Sequence, residues 1–169
     1  MVKIYVLVGM IASGKSTYCK KAAEKGILSV NDDAIVNLVH ADNYTLYDQK
    51  LKILYKSIEN HIISTVIAMG RSIIIDRGLN VSKKGRKRWL SIAESYDIPC
   101  EAIVFPNEGP EQHAKRRFES DSRNHGIDYW RKVALHHDSI FVKPTLEEGF
   151  VAIHDINFKD ILDGKVFIS

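Results

Sequence analysis

The sequence predicts an α/β fold in which helices cover both faces of a mainly parallel central sheet. Two observations lead to this prediction. Apolar, β-branched runs of strand length alternate along the chain with helix-length segments whose apolar residues recur near every 3.6 positions. A glycine-containing loop joins the first such run to the first helix, as in the units that build parallel sheets. In this architecture the ligand site lies at the carboxyl ends of the strands.

The first half of the chain supplies three of the predicted strands. Gly26 and Gly70 stand where the first and third helices should end, because glycine adopts the backbone conformation that commonly closes a helix. A turn is expected at 42–43. The predicted strands are 2–8, 27–30 and 72–76, and the predicted helices are 16–25, 34–40 and 45–69.

The second half of the chain continues the alternation. Ser82 can cap a helix, and Pro106 ends a strand. The predicted helices are 82–96, 111–119 and 128–138. The predicted strands are 102–105 and two late ones, 149–154 and 165–168.

Composition is that of an ordinary globular protein, with 45% hydrophobic and 27% charged residues in 169. We expect one domain over 1–169, and neither a membrane span nor a signal peptide, since no apolar run is long enough and the chain enters a strand directly. The distant Cys19 and Cys100 match no metal-binding spacing and predict reduced thiols in a cytoplasmic protein. A net charge of +3 permits a nucleic-acid partner without requiring one.

The loop after the first strand has the spacing G-x-x-x-x-G-K-S of a phosphate-binding loop. Gly9 and Gly14 allow backbone angles that let the loop's N–H groups form a concave anion site, and the following helix adds its positive end. Lys15 is expected to reach the β- and γ-phosphates, and the Ser16 hydroxyl to bind Mg²⁺. The residues expected to contact the nucleotide are Gly9, Ala12, Ser13, Gly14, Lys15, Ser16 and Thr17.

Two further polar clusters, 31–33 and 76–80, follow other strands and should meet this loop at the same edge of the sheet. A carboxylate at Asp32 or Asp33 could accept a proton from an attacking hydroxyl, although aspartate also favours helix N-caps. Asp76 ends an isoleucine-rich strand, as does the aspartate that holds Mg²⁺ in many phosphate-loop proteins; the alternative is an aspartate that merely ends the strand.

Basic residues concentrate in two segments. Arg116, Arg117 and Arg123 fall in a region, about 108–140, where small kinases carry a mobile lid that closes over the phosphoryl group. The alternative is a solvated basic helix face. The run 83–88 is denser and allows the same two interpretations, a solvated face or a contact with nucleic-acid phosphates.

Several segments, in order and at compatible spacing, carry a family resemblance. They are 9–17, Asp32 and Asp33, 76–80, Arg86 and Trp89, and 116–123. With these residues the first 125 positions or so resemble the kinase domain of the phage polynucleotide kinase family. Asn31 and Ile35 depart from it, since the family commonly has arginine near both positions.

The resemblance implies transfer of the γ-phosphate of ATP to a 5′-hydroxyl of DNA or RNA. It implies that Asp32 acts as general base, and that Lys15, Arg116 and Arg123 stabilise the transferred group while Arg117 contacts the nucleotide. Ser16 and Asp76 would hold Mg²⁺. The residues implied to contact the acceptor are Asp33, Asp76, Arg77, Asn80 and Arg86.

Two rival interpretations stay open at this point. The acceptor could be another hydroxyl, such as a hydroxymethylated base in DNA, a nucleoside, a sugar or a toxin-type substrate. Alternatively, the chain could be an ATPase or a nucleotide-binding switch with no phosphoryl acceptor. ATP is the expected nucleotide in each case, because the Asn-Lys-x-Asp motif of guanine-specific proteins is absent from the sequence. The sequence does not indicate an oligomeric state.

Overall fold

The computed structural model describes residues 1–121, 123–165 and 168, and within these ranges five strands and seven helices alternate. The strands are β1 (Ile4–Val8), β2 (Leu28–Asn31), β3 (Ile73–Asp76), β4 (Cys100–Val104) and β5 (Ala152–Asp155). The helices are α1 (Lys15–Glu24), α2 (Asp32–Val39), α3 (Lys52–Ala68), α4 (Lys83–Ser95), α5 (Pro110–Glu119), α6 (Ile127–Ser139) and α7 (Phe158–Leu162). All strand pairs are parallel, and the sheet order is β2-β3-β1-β4-β5. The predicted α/β class is confirmed.

The central position of β1 places the loop that follows it in the middle of the sheet's carboxyl edge. Leu7 pairs with Asp76 on one side and with Ile103 on the other. Asp76 also pairs with Asn31, the last residue of β2. The ends of β1, β2 and β3 are therefore in register, and the polar residues that follow them converge at one edge, as predicted.

The sheet forms two apolar cores because side chains alternate between its faces. Val6 and the other strand residues that point to the same face of the sheet pack with α3 and α4, including the fully buried Trp89. Leu7 faces the other side and packs with Tyr18 of α1 and Ile161 of α7. The strands are buried on both faces, which is why their sequences are continuous apolar runs rather than alternating ones.

A third, smaller core joins α5 and α6 to the glycine-containing loop. Met10 of that loop is fully buried against Ala114 of α5 and against Trp130 and Ala134 of α6. These two helices occupy the region predicted as the lid. The packing therefore seats the arginine-bearing segment directly on the loop between β1 and α1.

The helix predicted over 45–69 is wrong in its first two turns, since α3 begins only at Lys52. Two short 3-10 turns, Tyr44–Leu46 and Gln49–Leu51, precede it. The side chains of Asn43 and Asp48 accept hydrogen bonds from the backbone N–H groups two residues ahead, so they hold turns instead of a continuous helix.

Other boundaries differ by smaller amounts. α2 begins at Asp32, two residues earlier than predicted, because the Asn31 side chain accepts a hydrogen bond from Ala34 N and caps the helix. Ser82 caps α4 as predicted. The strand predicted at 165–168 lies partly outside the described residues. Among those that the structure describes, no helix has both the length and the apolar character needed to cross a bilayer.

Candidate functional site

The loop between β1 and α1 has the backbone of a phosphate-binding loop. Ala12 and Gly14 adopt left-handed conformations, with φ of 49° and 98°. Gly9 serves a different purpose, because a Cβ atom there would lie 2.5 Å from the Ser13 hydroxyl and 2.7 Å from the Cβ of Phe105. The sequence predicted that both glycines supply unusual backbone angles, but Gly9 is needed instead for close approach.

Lys15 is folded back onto this loop. Its Nζ donates hydrogen bonds to the carbonyls of Gly9 at 2.8 Å and Met10 at 2.6 Å, and lies 3.4 Å from the Ser13 hydroxyl. Burial lowers the pKa of Lys15, while the nearby charge of Asp76 acts in the opposite direction. The ammonium group of Lys15 is thus enclosed by neutral oxygens of its own loop. Such a buried charge favours the binding of an anion that can compensate it.

Asp76 ends β3 beside this lysine and is almost fully buried. Asn31 donates its side-chain N–H to the Asp76 carbonyl and to its carboxylate, both at 3.1 Å. Burial raises the pKa of Asp76, whereas Lys15 and the Asn31 hydrogen bond lower it. The sequence analysis did not predict that Asn31 would hold Asp76 in place. Its position at the end of a strand, directly before the aspartate pair, could have indicated such a contact.

The oxygens of Asp76 and Ser16 suit a magnesium ion that is shared with a nucleotide. Mg²⁺ usually takes one or two protein oxygens and completes its shell with phosphates and water. In the described ranges, no three His, Cys, Asp or Glu side chains cluster as a metal site. The oxygens of Ser16 and Asp76 therefore fit an ion whose remaining ligands come from a nucleotide and from water.

Asp32 lies in the first turn of α2, across from the loop that follows Asp76. Its Oδ2 is 2.9 Å from Nε of Arg77, an ion pair without hydrogen-bond alignment. The side chain keeps 37% of its surface exposed. Burial of the carboxyl group nevertheless raises its pKa to about 6, against the opposing effect of Arg77. Such a carboxylate can both lose and accept a proton near neutral pH.

Asp33 connects α2 to the predicted lid. Its Oδ2 accepts a hydrogen bond from Arg123 at 2.6 Å, and the Arg123 guanidinium lies 3.5 Å from the ring centre of Tyr44. Asp121 accepts hydrogen bonds from the backbone N–H groups of Arg123 and His125, which fixes the local turn. The lid segment is therefore bound to the acidic pair in this conformation.

A pocket of about 220 Å³ opens beside the two aspartates. Three tyrosines form one wall: the rings of Tyr44 and Tyr47 stack at 6.2 Å, and those of Tyr47 and Tyr55 at 5.6 Å. Lys52 and Lys56 add positive charge to the lining. The sequence missed this pocket, because Tyr47 and Tyr55 fall within the stretch predicted as one long helix, 45–69, and no pocket was expected beside it. Tyr-x-x-Tyr directly before the helix was the available signal.

The remaining lid arginines are each held by an aromatic ring. The Arg116 guanidinium lies 4.7 Å from the ring centre of Phe158 and pairs with Glu108. Arg117 lies 4.6 Å from the ring centre of Trp130. Burial lowers the pKa of Arg117, and the charge of Arg123 adds to this effect. The helix that carries both arginines packs on Met10 of the phosphate-binding loop through Ala114.

Asn80 is fully buried beneath the site and contacts the framework. Its Nδ2 donates to the carbonyls of Leu7 at 3.1 Å and Ile75 at 3.3 Å. Its Oδ1 accepts a hydrogen bond from the Trp89 indole at 2.8 Å. These bonds join the ends of β1 and β3 to α4, so the structure gives Asn80 a framework role and leaves no polar atom of its side chain free for an acceptor.

Arg86 is likewise fully buried. It forms a two-point ion pair with Glu148 at 2.6 and 3.0 Å. Its NH1 also donates to the carbonyls of Asn80, Val81 and Val142. The guanidinium is thus fully enclosed by these partners, which leaves it no surface for the predicted acceptor contact.

Two buried histidines flank the phosphate-binding loop, and the sequence did not predict them. His113 accepts a hydrogen bond from Glu108 N at Nε2, and its Nδ1 is buried. His137 packs against Gly78, and burial lowers its pKa to about 4. Both rings are therefore neutral at neutral pH, and they keep the apolar seam between the lid helices and the loop free of added charge.

Comparison with known proteins gives results consistent with this geometry. A family model described as an AAA domain matches residues 4–128. The bifunctional polynucleotide phosphatase/kinase of Schizosaccharomyces pombe is 28% identical over 163 residues, which are 95% of this chain and 35% of that protein. The chain thus spans about a third of that relative's length.

Solved structures agree in fold. A candidate kinase of Chloroflexus aurantiacus has a TM-score of 0.66 at 13% identity, covering 98% of this chain and 88% of its own. A gluconokinase of Sinorhizobium meliloti has a TM-score of 0.56 at 14% identity, covering 96% and 90%. At these identities the likeness shows the fold alone.

The sheet order and the phosphate-binding loop define a P-loop protein with the three-layer architecture of P-loop kinases. The chain belongs to the AAA domain family, since the family model matches well over half of it.

Proposed function

We propose that this protein is an ATP- and Mg²⁺-dependent kinase that phosphorylates the 5′-hydroxyl of DNA or RNA. The observation that carries the proposal is the position of Asp32. Its carboxylate, with a pKa raised to about 6, lies at the mouth of the tyrosine-lined pocket and on the same sheet edge as Lys15. Such a site can deprotonate a hydroxyl facing a bound nucleotide.

On the donor side, Lys15 would exchange the loop carbonyls for phosphate oxygens. The exchange is favourable because its charge is now compensated only by neutral oxygens and by Asp76 nearby. When bound, Mg²⁺ would neutralise charge on the β- and γ-phosphates. Ser16 and Asp76 are the residues that would hold it.

On the acceptor side, Arg77 orients the Asp32 carboxylate and favours its charged form. This arginine would occupy the role that Asn31 and Ile35 cannot perform, namely holding the acceptor near the base. Asp33 positions Arg123, so the lid and the acceptor pocket are linked through one ion pair. Arg116, Arg117 and Arg123 would then stabilise charge on the transferred group after they leave their present partners.

The pocket lining favours a nucleotide acceptor. Tyr47 is 44% exposed and offers aromatic surface to a base, and Lys52 and Lys56 offer charge to the phosphate that follows the terminal nucleoside. The Schizosaccharomyces pombe relative is named for a polynucleotide activity, which supports the same acceptor.

A second candidate is a kinase for a small hydroxyl compound, and the size of the pocket favours it. At about 220 Å³, the pocket is below the roughly 300–1,000 Å³ typical of ligand sites. It would enclose a nucleoside or sugar and leave the rest of a longer substrate outside.

Steady-state kinetics of pocket variants test the polynucleotide proposal. Lys52→Ala with Lys56→Ala should raise the KM for a 5′-hydroxyl oligonucleotide about tenfold or more, since two phosphate contacts are lost, and leave the KM for ATP unchanged. Lys20→Ala with Lys132→Ala, two exposed lysines elsewhere, is the matched control. If the two pairs of substitutions have equal effects, the pocket does not hold a polynucleotide.

A further inference from the structure

A second and larger cavity lies on the opposite side of α4 from α3. Its volume is about 790 Å³, and it runs between α4 and the segment that leads into β5. Its floor is apolar and includes Leu90, Ala93, Ile98 and Val151. Val151 is 60% exposed, so this apolar surface is open to solvent. The cavity reaches the amino end of β4 at Cys100 and is therefore separate from the phosphate-binding loop.

One end of this cavity carries three lysines. The lining also includes Glu94, Glu147 and Glu148, of which Glu148 is neutralised by its ion pair with Arg86. Lys83, Lys84 and Lys87 line this end and are all exposed. They belong to the basic run 83–88, whose two arginines are already occupied: Arg86 by Glu148, and Arg88 by Glu59.

The lysines remain available for a ligand. In the part of the chain that the structure describes, none of the three lysines forms an ion pair with a carboxylate within 4 Å. Lys83 interacts with Glu147 through a weaker, longer-range electrostatic attraction. The three lysines lie in the first two turns of α4, where the positive end of the helix dipole adds to their field. The basic end therefore attracts anions more strongly than an isolated surface lysine does.

The two ends of the cavity select opposite parts of one ligand. From Lys83 to Glu94 the helix is about 16 Å long at 1.5 Å per residue, enough for a charged head and an extended body. A volume of about 790 Å³ is within the usual range for small-molecule sites. The lining contains no aromatic side chain, so it offers no stacking surface to a nucleic-acid base.

We propose that this cavity binds an organic phosphate with an apolar body, with the phosphate on Lys83, Lys84 and Lys87 and the body on Leu90 and Val151. The site is separate from the proposed kinase centre and does not depend on it. The lysines favour an anionic head group with several acceptor oxygens, and the aliphatic floor favours an apolar body.

Calorimetric titration with dodecyl phosphate below its micelle-forming concentration tests the proposal. Saturable binding of one molecule per chain is expected. Dodecyltrimethylammonium has the same body and the opposite charge, and inorganic phosphate has the head without the body. Both should bind at least about tenfold more weakly, because each lacks one of the two contacts.

Variants locate the bound molecule. Lys84→Glu with Lys87→Glu should weaken dodecyl phosphate binding at least about tenfold, and Val151→Asp should do the same from the apolar end. Lys20→Glu with Lys132→Glu makes the same charge change on exposed lysines elsewhere and should leave binding intact. Circular dichroism confirms that each variant is folded, and Val151 is exposed enough to accept the change. Absence of binding, equal binding of the cation, or equal loss in both lysine pairs would overturn the proposal.

Discussion

Asp32 combines two properties that a hydroxyl-activating residue needs, a pKa near neutrality and a partner that holds its orientation. We expect Asp32→Asn to lower the rate of phosphoryl transfer by about 10²-fold or more, because general-base catalysis contributes roughly 10²–10⁴-fold. The affinity for ATP should stay within about twofold of the wild-type value, since the ion-pair partner of Asp32 is Arg77 and Lys15 is held by the loop carbonyls. Single-turnover transfer and equilibrium ATP binding measure the two quantities separately. Unchanged transfer would remove Asp32 from the mechanism.

The pH dependence follows from the direction of the same pKa shift. The base must be charged, so kcat/KM for the acceptor should rise with pH through about pH 6 and then level. Arg77 lowers the pKa of Asp32, and its removal should raise that pKa further. The acidic limb of the profile should therefore move to higher pH in Arg77→Gln. An unshifted limb would show that another group controls it.

The residue types of the donor site could be predicted because their spacing is fixed by backbone chemistry. Lys15 and Asp76 follow strands whose apolar runs are unmistakable. The sequence could not separate Asn80, which is buried beneath the site, from Asp76, which lines it. Both are polar residues near the end of one strand, and only three-dimensional packing decides which of them faces the loop.

At the scale of elements, Arg86 joins α4 to the segment before β5. Arg86→Met should lower the free energy of unfolding by about 3–5 kcal/mol, because the Glu148 carboxylate would stay buried without a compensating charge. Lys87→Met, an exposed position on the same helix, should change it by less than about 0.5 kcal/mol. Urea unfolding gives both values.

A second substitution identifies the cause. Replacing both residues, as Arg86→Met with Glu148→Met, should recover part of the lost stability, since no charge is then left buried. If the double variant is as unstable as the single one, the loss comes from packing and from the three carbonyls that Arg86 contacts.

The acceptor pocket shows where element prediction reaches its limit. The apolar spacing over 45–69 suits one helix, and local side-chain bonds at Asn43 and Asp48 prevent the first turns. Because the first turns are absent, Tyr47 lies before α3 and forms the pocket wall with Tyr44 and with Tyr55 of α3. The apolar periodicity of a long segment contains no information about two specific side-chain hydrogen bonds. The start of the helix was therefore predicted too early, and the pocket beside it was missed.

At the scale of the whole molecule, nucleotide binding should stabilise the fold by mass action. ATP with Mg²⁺ at about 100 times its Kd should add about 2.7 kcal/mol to the free energy of unfolding and raise Tm. Lys15→Ala should abolish most of this shift, because the phosphates lose their principal cation. Thermal unfolding with and without ATP measures it, and Lys20→Ala is the control. An equal shift in the Lys15 variant would place the nucleotide elsewhere.

The overall architecture was predictable because the rules that govern parallel sheets leave few choices. Alternating strands and helices require crossover connections, and the ends of the strands then meet at one edge. The packing of helices around that edge was harder to predict from the sequence. The seating of α5 and α6 on Met10 depends on long-range packing that no local pattern contains.

The most direct test of the central claim follows the labelled γ-phosphate of ATP. The label is offered with 5′-hydroxyl DNA, 5′-hydroxyl RNA, a nucleoside and gluconate in separate reactions. We predict that label appears at the 5′ end of an oligonucleotide, requires Mg²⁺, and is lost in Asp32→Asn. Label found only on a small compound would move the acceptor assignment to the second candidate. Label found only as free phosphate would contradict the kinase proposal itself.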